Sequence, residues 1–223
     1  MPESPAQAPE ALTELPLFPL GTVLFPGALL PLQLFELRYL QMIGECERQG
    51  SGFGVVTLTQ GREVHRPGEA AEQFEAIGTR VQIERIERPQ AGLVLVWCRG
   101  VDRFHVHNTT QRSDGLWRGQ VQALPPEPNL AVPEHLQHLS DQMHGALQSL
   151  SAQPSVVPPW NEAWRLHDCS WLSNRYGELL PLPLAMKYRL FALQEPLMRL
   201  ELIGDWVAPT SDGSPSQKPP ANS

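Results

Sequence analysis

Apolar positions are densest between Leu15 and Phe35, where L-P-L-F-P-L-G-T-V-L-F-P-G-A-L-L-P-L-Q-L-F runs without a charge. On hydropathy alone the run is long enough for a membrane span. Proline excludes that reading. Pro16, Pro19, Pro26 and Pro31 each remove an amide donor and clash with the preceding turn, and one interior proline costs a helix about 3 kcal/mol. The pattern instead predicts two short strands, near Leu15 to Leu20 and Leu29 to Leu34, joined by a turn at Phe25-Pro26-Gly27. Leu30, Leu32 and Leu34 alternate onto one face of the second strand. In F-E-L-R-Y-L-Q-M-I-G-E-C-E-R-Q the period lengthens to that of a helix. Leu37, Leu40 and Ile43 form its apolar stripe, Tyr39, Met42 and Cys46 widen it, and Glu36 lies in the first turn, where a carboxylate meets the positive end of the helix dipole.

Short apolar runs separated by turn signals continue to about residue 123. Phe53 to Leu58 reads as a strand closed by a turn at Gln60-Gly61. Thr79 to Glu87 places Val81 and Ile83 on one face and then shifts register to Ile86, the mark of a bulge. Leu93 to Cys98 is continuously apolar, as in a strand covered on both faces. Val101 to His107 turns Phe104 and Val106 inward and His105 and His107 outward. Ser113-Asp114-Gly115 then leads into Leu116 to Ala123. Many short strands favour a closed or nearly closed barrel, which leaves few free edges.

Leu124 to Pro133, L-P-P-E-P-N-L-A-V-P, is a stiff connector whose prolines discourage both helix and sheet. Beyond it the period is helical. His135 to Leu150 aligns Leu136, Leu139, Met143 and Leu147. Pro154 to Pro159 interrupts before another helix near Asn161, on which Trp160, Trp164 and Trp171 fall close to whole turns and fill a core rather than a ligand site. A last helix, Leu184 to Leu202, is kinked or divided at Pro196. The fold class expected is α+β: a β-barrel-like lobe with an inserted helix over residues 13–123, a Pro-rich connector over 124–132, a helical lobe over 133–207 and a disordered tail over 208–223.

The quoted motifs also carry a family resemblance. L-P-L-F-P-L-G-T-V-L-F-P-G followed by L-P-L-Q-L-F-E-L-R-Y-L resembles the opening of the N-terminal, substrate-binding domain of the ATP-dependent Lon proteases. Phe53 to Val56, Gly78-Thr79, Arg99 to Phe104 and the helical stretch Leu179 to Leu202 resemble its later segments in order. The resemblance covers roughly residues 13 to 207. It implies a stand-alone Lon N-domain-like protein whose barrel is similar to the PUA fold.

Composition bounds what such a chain does. Its 223 residues bury a proper core, and 41% hydrophobic content marks it as globular. A formal charge of -7 disfavours non-specific nucleic-acid binding and anionic membranes. Cys46, Cys98 and Cys169 are few, odd in number and far apart, and the N-terminus shows neither a basic region nor an apolar signal core. A reduced, cytoplasmic setting is expected. A Lon protease needs a G-x-x-x-x-G-K-[ST] phosphate loop, and no Gly-Lys pair occurs here. Its serine and lysine dyad is equally unsupported, because the two lysines are Lys187, within the last helical pattern with no serine near it, and Lys218 in the tail.

Other candidate chemistry is sparse. His105 and His107 lack further ligands and fit a solvated strand face. His135, His138, Asp141 and His144 fall at helical intervals, as in a metal site or, equally, one polar surface face. In His167-Asp168-Cys169 adjacent residues point different ways. No catalytic, metal or cofactor set is therefore expected, and the protein is read as a non-enzymatic polypeptide-binding or adaptor module. Its partners would be unfolded or apolar polypeptide segments and a protease or chaperone encoded elsewhere. An apolar groove and free strand edges would accept an extended segment. Candidate contacts are Phe25 and Pro26 in the apolar turn, Phe35, Arg38 and Tyr39 in F-E-L-R-Y, and Trp117 toward the crease between the lobes. The alternative is an RNA-binding PUA-like module.

Overall fold

The computed structural model describes residues 12–61, 72–152 and 164–207. The strands are β1 (Thr13–Leu20), β2 (Leu29–Leu34), β3 (Phe53–Gln60), β4 (Gln73–Gln90), β5 (Leu93–Gln111) and β6 (Trp117–Ala123), with helix α1 (Leu37–Gln49) between β2 and β3. Helices α2 (Gln137–Ser151), α3 (Cys169–Leu179), α4 (Leu184–Ala192) and α5 (Pro196–Val207) follow, α2 being preceded by a short 3₁₀ turn at Glu134–Leu136. Residues 153–163, with the helix expected near Asn161 and Trp160, and the tail from residue 208 lie outside the described residues.

The strands run in the order β2-β5-β4-β3-β1-β6, and β6 also pairs with β5. Its far half closes the circuit: Phe104 to Gln111 pair with β6, while Val94 to Arg99 carry β2. Closure hides most strand edges, as the short alternating runs foretell. The two long strands are nonetheless longer than the sequence reading. Leu93–Cys98 and Val101–His107 are parts of one strand that continues through Gly100, where its register against β4 shifts between the pairs Val81 with Gly100 and Arg80 with Asp102. A Cβ at residue 100 would lie 2.8 Å from the Phe25 carbonyl oxygen, so this glycine marks a close backbone approach rather than a break. The expected bulge is present, as a register shift between Ile83 and Arg85.

Helix α1 buries Arg38, Tyr39, Met42, Ile43 and Cys46. That stripe is rotated from the expected one: Leu37 is 68% exposed and Leu40 only partly buried. Tyr39, Met42, Ile43 and Cys46 fit i, i+3, i+4, i+7 better than the leucines do, and they pack on Phe18, Phe53 and Val96 of the barrel. Gly50, at φ 61, ends the helix in the left-handed conformation that glycine adopts freely.

The C-terminal part is helical, around a core that includes Leu139, Leu147, Leu172, Leu200 and Ile203. Asp168 caps α3, its carboxylate accepting from the amides of Ser170 and Trp171. Trp171 lies in α3, but Trp164 precedes that helix in an irregular stretch, so these two do not form the expected row on one helix. Both still pack in the helical core. Pro196 divides the last helical pattern by starting α5, where its missing amide costs nothing.

The Phe25-Pro26-Gly27 turn is the socket on which the helices sit. Phe25 is fully buried, with its ring edge-on to Phe191 at 5.6 Å between centroids. A Cβ on Gly177 would fall 2.5 Å from that ring, so α3 can approach only because the position is glycine. Arg175 donates to the Pro26 carbonyl at 2.5 Å, and the Ile77 amide donates to the Tyr188 hydroxyl at 3.0 Å. The turn is apolar because a core lies over it.

Candidate functional site

Two places combine accessible apolar surface with polar groups held in fixed positions. The first is the corner at the start of α1. Phe35 and Leu37 project outward, 57% and 68% exposed. Beside them in sequence, Arg38 is buried and fully engaged: it donates to Glu36 and Glu72 at 3.0 Å each and to the Gly115 carbonyl at 3.1 Å. Its guanidinium also lies 4.5 Å from the centre of the Tyr39 ring. Burial works to lower the Arg38 pKa, but Glu72, Tyr39 and Glu36 outweigh it and hold the pKa above its ordinary value. Trp117 closes the network through its indole N–H to Glu72 at 2.6 Å, its ring edge-on to Phe74. The structure therefore brings Arg38, Tyr39 and Trp117 together and leaves Phe35 outside them in solvent. Among these candidate contacts Phe25 stands apart, buried under the helices.

The second place is the crease between barrel and helices, a cleft of about 520 Å³. Trp117 does not line it, contrary to the position expected from sequence. Pro26 does, with Gly100 and Val101 of β5 on one side, Trp171 and Asn174 of α3 on another, and the connector prolines along the rim. The connector that the sequence marks only as stiff is a clasp here. Glu127 lies in an ion pair with Arg103 of β5 at 2.8 Å, and its other oxygen accepts from Arg199 of α5 at 2.7 Å and from the Ser170 hydroxyl. Arg103 donates further to the Phe191 and Leu193 carbonyls. Burial, with Arg199 adding to it and Glu127 opposing, sets the Arg103 pKa below its usual value. Nothing in the alternation of β5 singles out Arg103, since an arginine beside Phe104 reads as an outward residue. The one visible hint is Glu127 among prolines.

Three of the histidine candidates are engaged locally, whereas His105 stacks edge-on to His107 with its buried Nδ1 unbonded. His107 bonds Gln122 at 2.9 Å, His138 the His135 carbonyl at 3.1 Å, and His144 Gln148 at 3.0 Å. Among the described residues no group of three or more His, Cys, Asp or Glu is placed to hold a metal ion. Lys187 donates to the Glu178 carbonyl at 2.8 Å. All three thiols are free and buried, and burial raises that of Cys98 to about 12.

These elements make a closing barrel with a helix inserted after its second strand, capped by a helical part. The family model for the ATP-dependent protease La (LON) substrate-binding domain matches residues 14–208, and the chain belongs to that family. The domain so matched is the substrate-binding part of those proteases, not their catalytic part. The chain is similar to the crystal structure of a Lon N-terminal domain protein from Xanthomonas campestris, at 31% identity and a TM-score of 0.68, over 87% of this chain and 98% of that one. It shares its fold with the N-terminal domain of Mycobacterium avium complex Lon protease, at 16% identity and a TM-score of 0.59, over 87% and 97% of the two chains. It also resembles protein cereblon of Danio rerio, 30% identical over 132 residues, which are 55% of this chain and 29% of cereblon. The chain thus spans less than a third of that relative's length. No helix among the described residues is long and apolar enough to cross a membrane.

Proposed function

We propose that this protein is a non-catalytic module that binds unfolded or apolar polypeptide segments, as an adaptor working with a protease or chaperone encoded elsewhere. The observation that carries this reading is the family match, which runs through both lobes and not through the barrel alone. The surfaces support it. Pro26 and Phe35 are the contacts offered to a ligand, with Trp117 half-buried behind the corner, while Phe25, Arg38 and Tyr39 hold those surfaces in place. Added-strand binding is the weaker route: among the described residues β2 pairs only with β5 and so is an edge, but its Pro31 has no amide to donate. The cytoplasm is the proposed setting, in keeping with three buried, unpaired thiols.

Two measurements test the reading. Purified protein should hydrolyse neither ATP nor unfolded casein above background. Turnover that follows the protein through several chromatographic steps and disappears in Lys187→Ala would overturn the non-catalytic part. Titration against reduced, unfolded proteins should saturate and should survive added salt, since the contacts are apolar and main-chain. No saturable signal up to about millimolar, where binding is worth only about 4 kcal/mol, would end the polypeptide reading.

A further inference from the structure

The cleft between the lobes has a definite electrostatic character. Each charged side chain in its wall already holds an opposite charge: Arg99 holds Glu84 at 2.5 Å, Asp102 holds Arg80, Arg103 holds Glu127 at 2.8 Å, and Arg165 holds Asp168 at 3.4 Å. Such a wall has little to gain from a charged ligand. Apolar surface is supplied by Pro26, Val101, Pro125 and Trp171. Against that background stands Asn174. It lines the cleft, is 4% exposed, and its side-chain oxygen has no hydrogen-bond partner.

A buried acceptor without a partner destabilises the fold, so its presence calls for a reason. Asn174 sits on the face of α3 that also carries Ser170 and Trp171, one turn before it, and both of those residues line the same cleft. A primary carboxamide carries one acceptor and two donors on the same planar group, the complement of a peptide unit, which offers an N–H and a C=O. Its terminal torsion is broad and roughly two-fold, so a small rotation presents either atom.

Resting on the polypeptide reading above, we infer that the interlobe cleft is its ligand site, and that Asn174 pairs with a main-chain amide of an extended, uncharged segment laid between the β5 wall and α3. The apolar wall takes the side chains and the carboxamide takes the backbone. Recognition of this kind is tolerant of sequence, because every residue except proline offers the same amide.

The test uses capped ten-residue segments tiled from β-casein, with the tightest uncharged one carried into solution titration against the full chain. Asn174→Leu keeps the shape and removes the polar atoms. It should lower affinity about tenfold, about 1.4 kcal/mol, while the unfolding midpoint stays level or rises because a buried orphan acceptor is gone. A purely structural asparagine gives the opposite pattern, lost stability with unchanged affinity, and that result overturns the inference. Peptides with single backbone amides replaced by esters supply the second readout. One position should weaken binding to the native protein and be silent against Asn174→Leu. Should the leucine variant not fold, Asn174→Ala carries the same comparison. Equal affinity of native and variant proteins for the casein segment refutes the site but leaves the polypeptide reading intact. Failure of native protein to bind any segment refutes both. A steep fall in affinity between low and high salt also counts against it, since it would mean that wall charges, not the amide, hold the ligand.

Discussion

Two of the buried guanidinium centres among the described residues are built on opposite charge balances. In the barrel, Arg38 sits between two carboxylates, Glu36 and Glu72, and its pKa is raised despite burial. Between the lobes, Arg103 and Arg199 share Glu127, and the Arg103 pKa is lowered. The first centre has anion to spare and takes all its partners from the β lobe. The second has cation to spare and draws on β5, the connector and α5. Removing one carboxylate should therefore be survivable in the barrel and severe between the lobes.

Glu127→Ala is the strongest test. It leaves two buried guanidiniums without their common anion, and breaking a buried pair in this way costs about 3–5 kcal/mol. Urea unfolding should show that loss, or a separate early transition of the helical lobe. Replacing Arg103, Glu127 and Arg199 together by Met, Leu and Met should recover most of it, because buried ion groups are often matched by apolar ones of similar volume. A Glu127→Ala protein as stable as the native one would dissolve the contrast.

Phe25→Ala attacks the same junction through its apolar side. Phe25 is fully buried against Phe191 and Gly177, so about 3–5 kcal/mol should be lost. A midpoint unchanged by this variant would mean that the clasp alone seats the helices.

These junction residues mark the boundary of what the sequence makes legible. The strands near β1, β2 and β3, the helix after Phe35, the bulge after Ile83 and the α4 to α5 division at Pro196 follow from alternation, period and proline chemistry, which are local. The family resemblance rests on the same local motifs. The rotated stripe of α1 was hidden because Leu37 and Tyr39 are both apolar, and only the barrel decides which faces it. Trp164 and Trp171 fit a helical period yet are separated by a capped start at Asp168, whose signal is one carboxylate. The clasp and the cleft depend on contacts between positions such as Arg103 and Glu127, which no periodicity encodes.

Glu72→Gln probes the other arm of the comparison. Arg38 keeps Glu36 and the Gly115 carbonyl, and Trp117 keeps a side-chain oxygen acceptor, so about 1–3 kcal/mol should be lost, less than for Glu127→Ala. Equal losses at the two sites would show that charge balance does not set the order.

Alkali separates the lobes more gently. Burial raises the Cys98 thiol from 9.0 to about 12 and the Tyr176 hydroxyl from 10.0 to about 12. The folded state holds both protons more tightly than the unfolded chain does. That stability is fully present below the unfolded values and is lost as pH climbs toward about 12. The decline should begin near pH 9, at up to about 1 kcal/mol per pH unit for the thiol. Cys98→Ala should flatten the slope between about pH 9 and 10 in denaturant midpoints, leaving Tyr176 to act above that. An unchanged slope would place the alkaline loss elsewhere.

The smallest expected change in stability comes from Phe35→Ser. Phe35 and Phe25 are the same residue type on the same apolar stretch, yet one is 57% exposed and the other 0%. A surface substitution away from packing or caps stays within about 0.5 kcal/mol, so the melting midpoint should scarcely move. Nor should the Arg38 to Glu72 network suffer, since none of its hydrogen bonds involves Phe35. What the variant removes is accessible apolar area at the α1 corner, worth about 25 cal/mol for each Å² that a bound polypeptide would cover. If the corner touches the ligand, affinity for the casein segment should fall severalfold at constant stability. If the ligand lies wholly within the interlobe cleft, Phe35→Ser should bind as the native protein does while Asn174→Leu does not. A large loss of stability in Phe35→Ser would contradict its exposure and remove the corner from both accounts.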